Sequence, residues 1–321
     1  MDKDNFNISE SSSGHKKGPL SNMPPLIFIF LSLTIVFILY QIVGGLITFL
    51  VTGEDLKINE ENLNLTRIIL TFAQFMFILF PAIFLVMLQD NDLKETFRLK
   101  KPKILIFVLA ITGILVIQPF LQVYLYYQNE LIFSLPFGQE IINSMKQLFD
   151  LLESTTEKLV TARTVPEFLL IVMVIAVTPA ICEEFLFRGL VLKNFEKITI
   201  ASKAIFFSGL LFAFFHFHPF NILPLAILGF FLAYVVYHSG SIYTSVACHF
   251  INNFISALAV FIYGKDVMGT ENAADMTSQE QIQFIILGII SLAVFIGIII
   301  LIKKYSVTKD QLNKLHQTTN E

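Results

Sequence analysis

Long apolar runs dominate the chain, and short polar segments separate them. Eight runs are candidate membrane spans: 25–51, 66–88, 104–127, 167–192, 203–217, 222–238, 241–263 and 281–302. A helix needs about 20 apolar residues to cross a bilayer, so the fifth run is short for a span. The pattern predicts an all-α fold, a polytopic membrane bundle of about eight transmembrane helices.

Composition supports a membrane protein. Of 321 residues, 55% are hydrophobic and 15% are charged, whereas soluble domains carry roughly 25% charged residues. The formal net charge of −3 gives no electrostatic footprint for nucleic acid. Cys182 and Cys248 both lie in apolar runs, where we expect packing residues rather than a disulfide. Several tyrosines, Tyr40 among them, are expected near span ends, at the membrane interface.

The charges of the loops predict an orientation. The basic residues between and after the spans are Lys94, Arg98, Lys100, Lys101, Lys103, Lys193, Lys197, Lys203, Lys303, Lys304 and Lys309, whereas the loops 52–65 and 264–280 are acidic. Every basic loop falls on one side if both termini are cytoplasmic. We therefore expect an integral protein of a bacterial cytoplasmic membrane with both termini inside.

Five segments follow from this pattern. Residues 1–24 form a disordered cytoplasmic tail, 25–127 a three-span region, 128–165 an extracytoplasmic amphipathic segment, 166–263 a core that carries the chemistry, and 264–321 the last span and a cytoplasmic tail. In the third segment, Leu148, Leu151, Leu152 and Leu159 predict a helix that lies on the membrane or caps a cavity.

Polar side chains that could carry chemistry concentrate inside three of the spans. They are Glu183, Glu184, Arg188, His216, His249 and Asn253. Ionisable groups cost several kcal/mol at the centre of a bilayer, which makes them functional-site hypotheses. Glu184 and Arg188 are four residues apart and can pair on one helix face. Glu183 is turned about 100° away, which leaves it available as a base.

The link between the fourth and fifth spans predicts a pairing across them. A turn at Lys197–Thr199 would place Glu183 and His216 at equal height in a helical hairpin. Pro179 lies four residues before Glu183 and could open the helix beside it. Each polar feature alone is equally compatible with packing between helices. His218 and His238, next to helix ends, are interpreted as interfacial.

The polar residues of these three spans form motifs that resemble those of a known family. The sets Glu183-Glu184-x-x-x-Arg188, Phe212-x-x-x-His216 and His249-x-x-x-Asn253 look like the three motifs of CPBP-family intramembrane proteases. That family includes the type II CAAX prenyl endopeptidases and bacteriocin-immunity and lysostaphin-resistance relatives. The resemblance covers roughly residues 166–260.

The resemblance implies proteolysis inside the membrane. Glu183 and His216 would activate a water, and His249 and Asn253 would stabilise the oxyanion, with Glu184 and Arg188 in support. No cofactor is favoured; the alternative is zinc held by Glu183, His216 and His249, since Glu plus two His is a zinc ligand set. The HExxH helix of zinc proteases is absent, as are the Gly-x-Ser-x-Gly and Gly-x-Gly-Asp signatures of other membrane proteases.

Two other functions stay open. One is a proton-coupled transporter, in which the carboxylates and histidines form a relay, although no second copy of the motifs suggests an internal repeat. The other is a non-catalytic immunity or peptide-binding protein of the same fold. The expected partners are a peptide or protein substrate and membrane lipid, without nucleic acid. Neither substrate prenylation nor oligomeric state can be inferred from the sequence.

Overall fold

The computed structural model of the chain describes residues 18–52, 62–134, 138–264 and 277–306. Most of the predicted N-terminal tail, the acidic residues between the first two spans, most of the acidic loop 264–280 and the C-terminal tail lie outside these ranges. Every regular element within the described ranges is helical. The all-α, polytopic membrane fold is therefore confirmed.

Seven helices are long and apolar enough to cross a membrane. They are α1 (Pro25–Val51), α2 (Leu63–Leu88), α4 (Ile104–Ile132), α6 (Val165–Glu196), α8 (Pro219–Ser239), α9 (Ile242–Tyr263) and α10 (Ser278–Tyr305). Two short helices are α3 (Leu93–Thr96) and the apolar α7 (Ala201–Phe215). A further helix, α5 (Gln139–Val160), precedes α6. The run predicted to be short for a span is therefore short in the structure.

Helices α7 and α8 form a close antiparallel pair. They meet at Gly209 and Gly229, where a Cβ atom on Gly209 would lie 2.6 Å from the backbone nitrogen of Phe230. Small residues allow such close approach between membrane helices. The Ser208 hydroxyl also donates to the carbonyl of Phe187 on α6 at 3.0 Å. Helix α7 is too short to span the membrane. These contacts hold it against its two longer neighbours, α6 and α8.

Helix α6 is irregular where it carries the acidic residues. Wide π-helical turns at Val172–Val177 and Phe185–Val191 flank the α-helical stretch Thr178–Glu184. Pro179 has no N–H to donate to the preceding turn. Three successive carbonyls before it accept side-chain hydrogen bonds instead: Met173 from Thr178 at 2.6 Å, Val174 from Gln74 at 3.4 Å and Ile175 from Asn253 at 2.8 Å.

Helix α5 lies at one end of the bundle, and its C-terminus is held by a buried arginine. Arg67 of α2 donates to the carbonyls of Lys158, Leu159 and Thr161 at 3.3, 2.9 and 2.7 Å. The last carbonyls of a helix have no partner within it, so Arg67 acts as a cap. Leu159 and the next residue, Val160, face an internal cavity. The side chains of Leu148, Leu151 and Leu152 lie outside the described residues.

Candidate active site

An internal cavity of about 470 Å³ lies among α1, α2, α4, α6, α7, α8 and α9, beside the end of α5. Its walls are mostly apolar, as in other ligand pockets. The polar or titratable residues that line it are Tyr40, Gln74, Glu183, His216, His249, Asn252 and Asn253. Four of these are residues that the sequence analysis selected, and they come from three different helices or helix ends.

Two histidines converge on one carboxylate oxygen, Oε2 of Glu183. The Nε2 atoms of His216 and His249 lie 3.7 and 4.0 Å from it. These separations exceed a direct hydrogen bond but suit a bridging water. Oε2 of Glu183 is buried and makes no hydrogen bond within the described part of the chain. The Nδ1–H of His216 donates to the carbonyl of Phe212 at 2.7 Å, which turns its Nε2 lone pair towards the acid.

A fully buried ion pair supports the site from behind. Arg188 donates to Oε1 of Glu184 at 2.8 Å, and neither side chain is exposed. Arg188 also donates to the carbonyl of Gly229 at 3.2 Å and lies 4.3 Å from the centre of the Phe212 ring. The structure therefore forms the i,i+4 pair that the spacing predicts, and Arg188 links α6, α7 and α8.

His249 completes this buried network. Its Nδ1 lies 2.9 Å from the same Oε1 of Glu184 that accepts from Arg188. Because that carboxylate is paired with an arginine, it accepts, and Nδ1 of His249 carries the hydrogen. Nε2, the atom that faces Glu183, then has a lone pair in the neutral imidazole and an N–H only in the imidazolium.

The Asn253 side chain takes part in a chain of amides. Gln118 of α4 donates to Oδ1 of Asn252 at 3.0 Å, and Nδ2 of Asn252 donates to Oδ1 of Asn253 at 3.0 Å. Asn253 in turn donates to the carbonyl of Ile175. One amide hydrogen of Asn253 is thus committed to the backbone of α6, and its second hydrogen is the one available to a ligand.

Sequence reasoning located much of this arrangement and missed part of it. The structure brings Glu183, His216 and His249 together and places Asn253 on the same cavity, although a simple up-and-down count puts the two histidines at different depths. Their individual roles stay predictions. Helix α6 ends at Glu196 and α7 begins at Ala201, as the expected hairpin requires.

Three contributions come from residues that sequence analysis did not select or placed wrongly. Tyr40 was expected at a membrane interface, but it lies inside α1 and lines the cavity; the first span simply continues beyond it to Val51. Gln118 and Asn252 are uncharged amides that bond to each other although they are 134 residues apart in sequence. In the sequence, the feature that distinguishes them is that they are amides in otherwise apolar runs.

Two other histidines among the described residues, His218 and His238, have contacts at helix ends. His238 approaches Ser306 with its Nδ1 atom 3.0 Å from the hydroxyl, where α8 and α10 end. His218 lies 3.4 Å from Asn221 in the turn that precedes the body of α8. Cys182 and Cys248 are free and fully buried. None of the four lines the cavity.

Glu183, His216 and His249 have the donor chemistry of a zinc site, and each histidine Nδ1 has a hydrogen-bond partner, as the ligands of zinc usually do. Among the described residues, however, no group of three or more His, Cys, Asp or Glu side chains has the geometry to hold a metal ion. A tetrahedral zinc site would bring the ligand atoms to roughly 3.3 Å from one another. The residues as arranged therefore do not fit a zinc ion.

Fold and site together define a helical membrane protein with a partly buried carboxylate–histidine centre in a mostly apolar cavity. Residues 165–255 match the family model described as type II CAAX prenyl endopeptidase Rce1-like. This match confirms the family that the three motifs indicate, over the segment that contains all of them. Comparisons with curated proteins and with solved structures gave no match.

Proposed function

We propose that this protein is an intramembrane endopeptidase in which Glu183 activates a water molecule to attack a peptide carbonyl. The observation that carries the proposal is the convergence of two histidine Nε2 atoms on the unpartnered Oε2 of Glu183, at 3.7 and 4.0 Å. The match of residues 165–255 to an endopeptidase family supports it at the level of the family.

The first step is general base catalysis. A water that donates one hydrogen to Glu183 and the other to the Nε2 of His216 has its oxygen lone pairs free for the substrate. The carboxylate accepts the proton as the oxygen attacks, and it later passes that proton to the departing amine. The mostly apolar walls around Glu183 strengthen these interactions, because they screen charges less than bulk water does.

The second step is stabilisation of the tetrahedral oxyanion. His249 can donate from Nε2 in its imidazolium form, and Asn253 can donate its second amide hydrogen. Donors that are already in place need no reorganisation as charge develops. The buried pair of Glu184 and Arg188 positions His249 through the 2.9 Å hydrogen bond, so we assign these two residues a supporting role.

The mostly apolar cavity walls suit a substrate with apolar side chains near the scissile bond, delivered from the membrane. We further propose that both termini are cytoplasmic, since the basic loop residues then lie on one side.

The decisive experiment compares purified wild type with Glu183→Gln in bilayer nanodiscs, using a fluorogenic peptide library. Loss of a general base costs 10²–10⁴-fold in rate, so we expect cleavage to fall by at least 100-fold. Glu130→Gln is the matched control, since Glu130 is exposed and does not line the cavity. Equal cleavage by wild type and Glu183→Gln would refute the assignment.

Metal dependence needs its own measurement. We propose a metal-independent reaction, so cleavage should survive exhaustive chelation, and elemental analysis should find less than one zinc per ten protein molecules. Activity that is lost on chelation and returns with stoichiometric zinc would refute a metal-independent reaction.

A further inference from the structure

A second, smaller cavity adjoins the first at Glu183. It has a volume of about 200 Å³ and is lined by Tyr40, Gln41, Ile78, Glu183, Leu186, Phe187, Phe215 and His216. Tyr40, Glu183 and His216 line both cavities. The carboxylate and one histidine are therefore accessible from two spaces, of which only the larger offers room for a peptide.

Gln41 gives the small cavity a polar side chain at an unusual depth. It lies three residues from the centre of α1 (Pro25–Val51), or about 4.5 Å along the helix axis. Its side chain is exposed and makes no hydrogen bond to the described residues. An amide without a partner costs several kcal/mol in hydrocarbon, so this position requires water.

The backbone that follows α7, next to Phe215 and His216 in the wall of the small cavity, is not helical. Helix α7 ends at Phe215 after about 22 Å, which is less than the ~30 Å hydrocarbon thickness. Phe217 then has φ +51°, and its ring contacts that of Phe37 on α1 with centroids 5.3 Å apart. Irregular backbone at membrane depth is tolerated where it lines a water-filled cavity or is buried in protein.

We propose that the small cavity is the water inlet of the active site, with Gln41 at its mouth. This inference rests on the proposed peptidase function. Each turnover consumes one water: its hydroxyl joins the acyl carbon, the carbon–nitrogen bond breaks, and its other hydrogen leaves on the amine. A peptide in the main cavity would block water from that side. At about 30 Å³ per water, the small cavity has room for several molecules.

The first test measures water at Gln41 directly. Gln41→Cys and Ile42→Cys are prepared separately in lipid nanodiscs and treated with a charged methanethiosulfonate reagent. Only a thiolate in contact with water reacts, and the native Cys182 and Cys248 are fully buried. Ile42 is 57% exposed but lines neither cavity, so it is the lipid-facing control. We expect Gln41→Cys to react at least tenfold faster; equal rates, or no reaction at Gln41→Cys, would overturn the proposal.

The second test connects the cavity to turnover. Modification of Gln41→Cys, or the substitution Gln41→Leu, should lower kcat about tenfold and leave KM within twofold, because the substrate cavity is untouched. Modification that raises KM alone, or that leaves kcat unchanged, would refute the role as an inlet. If the wild type cleaves no peptide, the proposed function fails, and the labelling contrast still decides whether the cavity holds water.

Discussion

The buried pair of Arg188 and Glu184 gives the most quantitative prediction. Substitution of Arg188 by Met removes an ionic hydrogen bond to Glu184, a hydrogen bond to the carbonyl of Gly229 and the contact with the Phe212 ring. General values are about 1.5–3 kcal/mol for each of the two hydrogen bonds, because the guanidinium is charged, and about 0.5–2 kcal/mol for the ring contact. Their sum, about 3.5–8 kcal/mol, overlaps the 3–5 kcal/mol typical for leaving one buried charge without its partner, so we expect Arg188→Met to destabilise the protein by about 3–5 kcal/mol.

The same reasoning predicts strong coupling between the two residues. Glu184→Gln strands the arginine and should also destabilise by about 3–5 kcal/mol. The double variant leaves neither charge without its partner. Its loss in free energy of unfolding should therefore be at least 2 kcal/mol smaller than the sum of the losses in the two single variants. Free energies of unfolding from titration with sodium dodecyl sulfate in mixed micelles would measure this cycle. Additive effects would refute the view that each charge stabilises the protein through the other.

A second arginine–carboxylate pair provides the control. Arg98 and Glu196 lie 2.5 Å apart, but their side chains are 12% and 11% exposed, and both belong to connections at helix ends. Water screens a partly exposed pair, so its loss costs less than the loss of a fully buried pair. If burial determines how much stability the protein loses with each pair, Arg98→Met should lower the free energy of unfolding less than Arg188→Met does.

Three other changes test the packing and the amide network. Gly209→Ala should destabilise by about 1–3 kcal/mol through overpacking, whereas Gly297→Ala, with nothing within 4 Å of its new Cβ, should be neutral in the same unfolding assay. Gln118→Glu cannot donate to Oδ1 of Asn252, so its kcat should fall at least tenfold. Gln118→Met also removes the donor but places no acceptor against that oxygen, so its kcat should fall less. Equal losses of kcat would contradict the role of polarity. Arg67→Met frees the C-terminus of α5, and hydrogen exchange of residues 157–161 should accelerate while exchange in α9 stays the same.

The sequence is sufficient for the parts of the site whose geometry is local. Hydropathy determines the spans, including the short α7, and helical spacing determines the pairing of Glu184 with Arg188. The hairpin of α6 and α7 follows from the position of a polar turn. By contrast, nothing local indicates that Tyr40 faces inward, because π-helical turns at Ile38–Gly44 shift the helical register. The partnership of Gln118 with Asn252 depends on how distant helices pack, which no short pattern encodes.

Pro179 shows how a local defect in α6 and the chemistry of the site depend on each other. The proline removes a backbone donor one turn before Glu183, so the carbonyl of Ile175, four residues before the proline, needs another partner in an apolar setting. Asn253 donates to that carbonyl and Gln74 donates to the neighbouring carbonyl of Val174, and both side chains line the cavity. A regular helix would satisfy these carbonyls internally and would leave Asn253 without its anchor. The break in α6 therefore recruits polar side chains from α2 and α9 to the place where the acid lies.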